Sequence, residues 1–224
     1  MPKKPRQKLK LIYTLDILKK FSDEEHPLNA ANITEKLLDY GIEAERKSVY
    51  DDIACLEEYG CDIIKSDSPK GWFIGDRELE VPEIYLLCDA VRSAKFISAK
   101  KSGELISKLN SMLSINQVKK RENSVYFAAS QKCGNEELYY NIDKISSAIN
   151  NAKQIELTYS QRYFDSEREV KKTKKIMTVN PYALTWQDDH YYLIGNYSKY
   201  DNLLHLRLDR ISKVKLLDTK ARNF

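Results

Sequence analysis

The stretch that decides the fold of the first part of the chain is ERKSVYDDIACLEEYG, residues 45–60. Val49, Ile53 and Leu56 recur in it at spacings of four and three. This spacing predicts a helix over about residues 44–59 that buries one face, because neighbouring turns of a helix repeat every three to four residues. Gly60 follows the last apolar position and is a typical residue just past a helix end.

The opposite face of this helix carries polar and basic side chains in its first two turns. In helix-turn-helix proteins those turns enter the major groove of DNA. Arg46 and Lys47 are therefore candidates for guanine or phosphate contacts, and Ser48 and Tyr50 for phosphate contacts. The competing interpretation is an ordinary solvated face, since most surface helices carry charge.

The sequence on both sides of this helix predicts two earlier helices and a later hairpin. An amphipathic pattern covers Gln7–Phe21, and Asn29 is a favourable N-cap for a helix that runs to about Tyr40. Two β-prone runs within residues 61–74 flank a polar turn. Helix, helix, helix, hairpin is the order of a winged helix-turn-helix, which we assign to residues 1–77.

Net charge adds little, because the chain as a whole carries only +4. DNA affinity would have to come from where the positive charges lie. Lys65 and Lys70 of the hairpin are candidates for contacts with the DNA backbone. A basic arm free of acidic residues precedes the first helix and could contact the same backbone; its basic residues are Lys3, Lys4, Arg6, Lys8 and Lys10.

Residues 78–135 are predicted to form a helical connector. One helix begins at Val81-Pro82-Glu83, and a second runs from Gly103 to about Leu113. Residues 119–123 are charged and predicted to be a solvated connection. The apolar stripes of the two helices suit either a purely structural connector or a dimerisation element, and the pattern does not separate these alternatives.

Residues 136–224 are predicted to form a small β-barrel after one further helix. Alternating apolar residues mark five or six short strands in about eighty residues, a density typical of small barrels. Asn180-Pro181 is expected to end one strand, and Gln187–His190 to form a turn. The predicted fold class is thus α+β, with a winged helix-turn-helix, a connector and a barrel.

Two resemblances join these parts. Residues 45–60 resemble the recognition helix of DeoR-type regulators, and residues 70–74 resemble their wing. Residues 180–186, 191–195 and 205–211 resemble, in order, the signature of a WYL domain. Tyr191 stands where the WYL tripeptide has tryptophan, and Leu204 stands where many members have arginine. The resemblance implies an Sm-like barrel that senses a ligand, often nucleic acid or a nucleotide, and modulates DNA binding.

An anionic effector of this kind needs cations and stacking surfaces. Tyr192 and Leu193 are expected to belong to the barrel core rather than to the effector site. Arg207 and Arg210 differ in strand parity, so a bend near Asp209 is needed to bring their side chains together. The candidate effector-binding residues are Tyr159, Tyr182, Trp186, Tyr191, His205, Arg207 and Arg210.

The leading function is therefore a ligand-responsive transcriptional regulator, expected to act as a homodimer on a double-stranded operator. The alternative is an RNA- or single-strand-binding module whose winged helix contacts proteins. No glycine-rich phosphate loop, nucleophile–base pair or zinc spacing of the cysteines and histidines is found, so we expect no enzyme activity, metal or cofactor. With no signal peptide and no apolar run long enough for a membrane span, the expected location is cytoplasmic.

Overall fold

The computed structural model of the protein describes residues 7–122, 132–164 and 170–223. Lys3, Lys4 and Arg6 of the predicted basic arm lie outside these residues. The chain divides into two compact units. We call the described parts of Met1–Ala90 and Leu105–Ala128 the N-terminal unit, and those of Val91–Glu104 and Ala129–Phe224 the C-terminal unit.

Three helices open the N-terminal unit: α1 (Gln7–Phe21), α2 (Ala30–Asp39) and α3 (Arg46–Glu58). All three match the sequence prediction to within two residues at either end. Asn29 caps α2 as expected, because its side-chain oxygen accepts hydrogen bonds from the backbone N–H groups of Ala31 and Asn32. Local capping and apolar periodicity thus suffice to set these helices.

The predicted hairpin consists of β1 (Ile63–Asp67) and β2 (Lys70–Ile74). A third short segment joins it, because Leu28 exchanges two backbone hydrogen bonds of 2.8 and 2.9 Å with Trp72. Gly71 allows this pairing, since a Cβ atom there would lie 2.7 Å from the backbone of Leu28. The chain between α1 and α2 is therefore tied directly to β2.

Lys10 is a correction to the predicted basic arm. Its ammonium is buried and lies 2.9 Å from the carboxylate of Asp52 and 3.2 Å from the carbonyl oxygen of Ser48. Thr14 also hydrogen-bonds Asp52. Lys10 therefore joins α1 to α3, and the sequence could not reveal this because the two partners lie far apart along the chain.

Three more helices follow: α4 (Val81–Ser93), α5 (Ala99–Asn110) and α6 (Ile115–Glu122). The prediction for residues 119–123 was wrong, since residues up to Glu122 are helical. Ser114 and Gln117 form a capping box at the start of α6, with each side chain accepting the other's backbone N–H.

Two further features of this region were missed by the prediction. Arg121 of α6 is buried in an ion pair with Asp89, whereas the sequence suggested a solvated charge. Helix α5 begins four residues before Gly103, because the hydroxyl of Ser98 caps it by accepting the N–H of Lys101. The boundary between the two units falls inside α4 and α5.

The C-terminal unit contains α7 (Leu138–Asn150) and a five-stranded antiparallel sheet. The order across the sheet is β6-β5-β4-β3-β7, and α7 packs against β3, β4 and β7. The strands are β3 (Lys153–Phe164), β4 (Val170–Gln187), β5 (His190–Tyr197), β6 (Leu203–Arg207) and β7 (Ile211–Lys220).

The described residues do not close into the predicted small β-barrel. Strands β6 and β7 are the two edges of the sheet, and no pairing between described residues joins them. The sheet is therefore open, with its core on the side that faces α7.

Strand β4 also corrects the prediction of a break at Asn180-Pro181, because it runs through these residues with a bulge. Asn180 is fully buried and its side chain is satisfied on both atoms. Its amide nitrogen donates to Asn196 at 2.6 Å, and its oxygen accepts from Gln154 at 2.8 Å and from the backbone of Arg222 at 3.0 Å. These contacts hold the bulge in one conformation.

Gly195 on β5 faces this bulge, and we expect it to be essential. A Cβ atom there would lie 2.5 Å from the carbonyl oxygen of Asn180. We predict that Gly195→Ala lowers the free energy of unfolding of the C-terminal unit by about 2 kcal/mol, as overpacking does. Urea unfolding followed by Trp186 fluorescence, in a Trp72→Phe background, measures it.

Gly103→Ala is the matched control in the same unit. Apart from the backbone of the helix itself, no atom of the described residues lies within 4 Å of a Cβ at this helical position, so the change should stabilise by about 0.5–1 kcal/mol. An unchanged unfolding midpoint for Gly195→Ala would contradict the prediction.

Candidate functional site

The first turn of α3 presents two cations to solvent. Arg46 and Lys47 are exposed, and neither forms an ion pair with a described residue. Ser48 donates its hydroxyl to the carbonyl oxygen of Glu45 at 2.8 Å, so it serves the start of the helix. Tyr50 is half exposed and meets the ring of Trp72 edge-on at 5.1 Å.

The hairpin adds two more exposed lysines. Lys65 pairs in register with Trp72, and Lys70 pairs with Asp67 at the turn. Tyr50 thus links the exposed end of α3 to the strand that carries Lys70. The six residues predicted to contact DNA accordingly lie on α3 and the adjacent hairpin.

A cavity of about 850 Å³ lies in the C-terminal unit. Among the described residues that line it, five have cationic side chains and one has a carboxylate, so this lining carries a net positive charge. Ser160, Ser212 and His190 add polar groups to the wall. The charged residues that line the cavity are Lys95, Lys132, Lys172, Arg207, Arg210 and Asp209.

Arg207 and Arg210 share this cavity because the chain bends between them. A short 3-10 helix, Leu208–Arg210, supplies the bend that the strand parity required. Arg207 grips Asp209 with two hydrogen bonds, Nε to Oδ1 at 3.1 Å and Nη2 to Oδ2 at 2.8 Å. Burial by itself raises the pKa of Asp209, but the hydrogen bonds and charge of Arg207 outweigh it, so the pKa lies below its usual value.

A neighbouring aromatic ring packs against two of the predicted stacking residues. Trp186 and Tyr191 pair across β4 and β5, and Phe96 meets them edge-on at 4.4 and 5.4 Å. Phe96 lies between α4 and α5 and also lines the basic cavity. The aromatic edges at this wall are therefore packed against one another.

The other predicted effector residues are dispersed. Tyr182 lines a separate groove of about 430 Å³ beside Arg222. His205 is exposed on the edge strand β6, and Tyr159 packs partly against the core. None of the three lines the basic cavity.

The expected core position of Tyr192 was wrong. Leu193 is fully buried, and Tyr191 shares its face and packs against the core. Tyr192 lies opposite Arg207 in the β5–β6 register, on the other face. Strict alternation from Leu193 would have given this result from the sequence, since Tyr192 and Leu193 cannot share a face.

Sequence reasoning missed Lys95, Lys132, Lys172 and His190. Lys172 belongs to the basic run 171–175, which is a visible signal. Lys95 and Lys132 precede the sheet in sequence, so only the tertiary fold brings them to the cavity.

Lys132 and Cys133 hold the loop that carries Phe96. The ammonium of Lys132 donates to the carbonyl oxygens of Val91 and Ala94 at 2.9 Å each. The backbone N–H of Cys133 donates to the carbonyl oxygen of Lys95 at 2.8 Å. The loop between α4 and α5 is therefore fixed at the wall of the cavity.

Comparison with known proteins identifies the class of the C-terminal unit. Residues 140–216 match the model of the WYL domain, so this unit contains a WYL domain. No curated protein matches the chain. None of the described helices is long and apolar enough to cross a bilayer, and the described residues include no cluster of His, Cys, Asp or Glu suited to a metal ion.

Among solved structures, the chain is similar to proteasome accessory factor B/C (PafBC) of Arthrobacter aurescens. The identity is 17%, the TM-score is 0.31, and the match covers 98% of this chain and 36% of that one. The chain thus spans about a third of the length of this neighbour.

The lowered pKa of Asp209 provides a test of its ion pair with Arg207. A carboxylate whose pKa is lower in the folded than in the unfolded state stabilises the fold above its unfolded pKa of about 3.9. That stabilisation is lost as the pH falls through the lower, folded pKa. We predict that Asp209→Asn is less stable than the wild type at pH 7, and that the difference becomes smaller at pH 3, below the unfolded pKa.

Urea unfolding at the two pH values measures this difference. Asp218→Asn is the matched control, because its carboxylate is fully exposed and its pair with Lys153 should contribute little. An Asp209→Asn deficit that persists unchanged at pH 3 would show that the ion pair is not its source.

Proposed function

We propose that the protein is a DNA-binding transcriptional regulator whose WYL domain binds an anionic effector. The observation that carries the proposal is the exposed pair Arg46 and Lys47 at the start of α3, beside a lysine-bearing hairpin. We assign the chain a binding role rather than a catalytic one.

The N-terminal unit supports a winged helix-turn-helix of the DeoR type. Helices α1–α3 precede the β1–β2 hairpin, and Leu28 adds an isolated β-bridge to β2. Lys10 and Asp52 fix α3 on α1 from its buried side. The charged side of α3 is thereby turned outward, where a major groove could receive it.

The basic cavity supports an effector with phosphate groups. Guanidinium groups and ammonium groups bind phosphate with charge-assisted hydrogen bonds, and both line the wall. A helix followed by five antiparallel strands in the order found here also favours an open, Sm-like arrangement of the WYL domain. A nucleotide or a single-stranded nucleic acid fits this chemistry.

The loop between α4 and α5 offers a route for regulation. It lines the cavity through Lys95 and Phe96, and the two helices that flank it continue into the N-terminal unit. An effector that favours one position of this loop over another would change the DNA-bound population, because ligands shift equilibria only through differential binding.

Homodimerisation fits the same scheme. Leu86 and Leu87 of α4 are 70% and 41% exposed, which is a large apolar surface for a helix that also contributes to a core. A second copy would bury it, and two copies would read two half-sites of an operator.

Removing the two cations of α3 tests DNA reading. Arg46→Ala with Lys47→Ala should weaken binding to a duplex enriched from a random pool by at least about tenfold, since specific arginine contacts are worth about 1–3 kcal/mol each. The salt dependence of binding should become shallower by up to about two ion equivalents. Fluorescence anisotropy over a salt series measures both.

Lys215→Ala with Lys220→Ala removes the same charge from exposed positions of β7 and should leave duplex affinity nearly unchanged. Duplex binding equal to wild type in the α3 variant would refute DNA reading by α3. Preference of the wild type for the single strand would favour the RNA- or single-strand-binding alternative.

Truncating Phe96 tests the regulatory route. Phe96→Ala removes two aromatic contacts worth about 1 kcal/mol each and should uncouple the loop from Trp186 and Tyr191. We expect the variant still to bind single-stranded oligothymidylate through the cations of the cavity, while its duplex affinity no longer responds to saturating amounts of that oligonucleotide. Anisotropy of labelled duplex, with and without oligothymidylate, measures the response.

Tyr140→Ala is the control, because it removes an exposed ring of the same unit that does not line the cavity. A Phe96→Ala variant that keeps the full wild-type response would exclude the loop as the route.

A further inference from the structure

The basic cavity contains its own anion. Among the described residues that line it, Asp209 is the one carboxylate, and it lies two residues from Arg207 on the 3-10 turn. Leu208 between them is fully buried, which fixes both neighbours at the wall. The guanidinium of Arg207 in this cavity is therefore already hydrogen-bonded to Asp209.

The Arg207–Asp209 pair has the two-hydrogen-bond geometry of a guanidinium bound to an oxyanion. Arg207 gives Asp209 two nearly parallel hydrogen bonds, which is how a guanidinium binds a planar or tetrahedral oxyanion. Among the described residues, the Asp209 carboxylate makes no hydrogen bond except to Arg207. Both side chains remain about a quarter exposed, so an incoming anion can reach them.

From this arrangement we infer that Asp209 is the resident counter-anion of the cavity, which a phosphate group of the effector must displace from Arg207. The inference rests on the effector half of the proposed function. It makes Asp209 a residue that sets affinity and selects the charge of the ligand.

Charge decides which ligands can displace it. A monocarboxylate would replace Asp209 with the same charge and the same two hydrogen bonds, so it gains little. A terminal phosphate carries about −1.5 to −2 at pH 7 and a diphosphate more, so either brings additional negative charge to Lys95, Lys172 and Arg210, none of which forms an ion pair with a described residue. The Arg207–Asp209 pair thus discriminates in favour of multiply charged phosphates.

The lowered pKa of Asp209 agrees with this role, because the hydrogen bonds and charge of Arg207 that lower it stabilise the carboxylate form. Arg207 is affected in the opposite sense, since its hydrogen bond to Asp209 raises its pKa. Each partner therefore stabilises the charged form of the other.

Isothermal titration calorimetry with inorganic pyrophosphate tests the inference on the full chain. Asp209→Asn keeps the size of the side chain but removes the anion, and should bind pyrophosphate about tenfold more tightly than wild type. This factor corresponds to one hydrogen bond to a charged group. Acetate, which the wild type should not bind measurably, should bind to this variant.

Asp209→Ser is measured beside it and should give the same gain, which keeps the test decisive if one variant folds poorly. Asp218→Asn is the control for net charge and should leave the affinity unchanged. Adding Arg207→Ala to Asp209→Asn should abolish the gain, because no guanidinium is then released.

Affinity that is unchanged or weaker in both Asp209 variants would overturn the inference, as would an equal gain in Asp218→Asn. Absence of pyrophosphate binding in the wild type and in both variants would also overturn it. No DNA is present in these titrations, so failure of the DNA-reading proposal would appear only in the duplex assays.

Discussion

The buried amide network around Asn180 is the constraint on which the C-terminal unit depends. It keeps β4 continuous through a bulge, so that one half of the strand pairs with β3 and the other half pairs with β5. Without this continuity the sheet would separate into two parts. The same strand carries Lys172 near its start and Trp186 near its end, and both contribute to the wall region where the anion cavity and the Phe96 contact lie.

The sequence predicted local elements well wherever local physics decides them. Helices α1–α3 and the hairpin follow from apolar spacing, the Asn29 cap and turn residues. Helix α6 was not predicted, although Ser114 and Gln117 carry a capping box, because the charged residues 119–123 after them are typical of a solvated connection. Asn180-Pro181 was predicted to end a strand, since nothing local indicates that partners from three other segments satisfy Asn180.

The same difference between local signals and contacts of distant segments holds for the candidate sites. Arg46 and Lys47 are found exposed, as helix periodicity predicts. For the effector site, Arg207 and Arg210 line one cavity, but Tyr182 and His205 lie elsewhere. The predicted stacking residues Trp186 and Tyr191 pack against the ring of Phe96. Lys95 and Lys132 come from segments outside the sheet, so no spacing in the sequence could have added them.

The backbone pairing between Leu28 and Trp72 has a consequence for protein engineering. Trp72 is part of the buried core of the N-terminal unit, and Leu28 reaches that core from the connection between α1 and α2. The hairpin is therefore not a detachable appendage. A chimera that transplants it from a relative must carry the α1–α2 connection along with it, or the grafted strand will lack its neighbour.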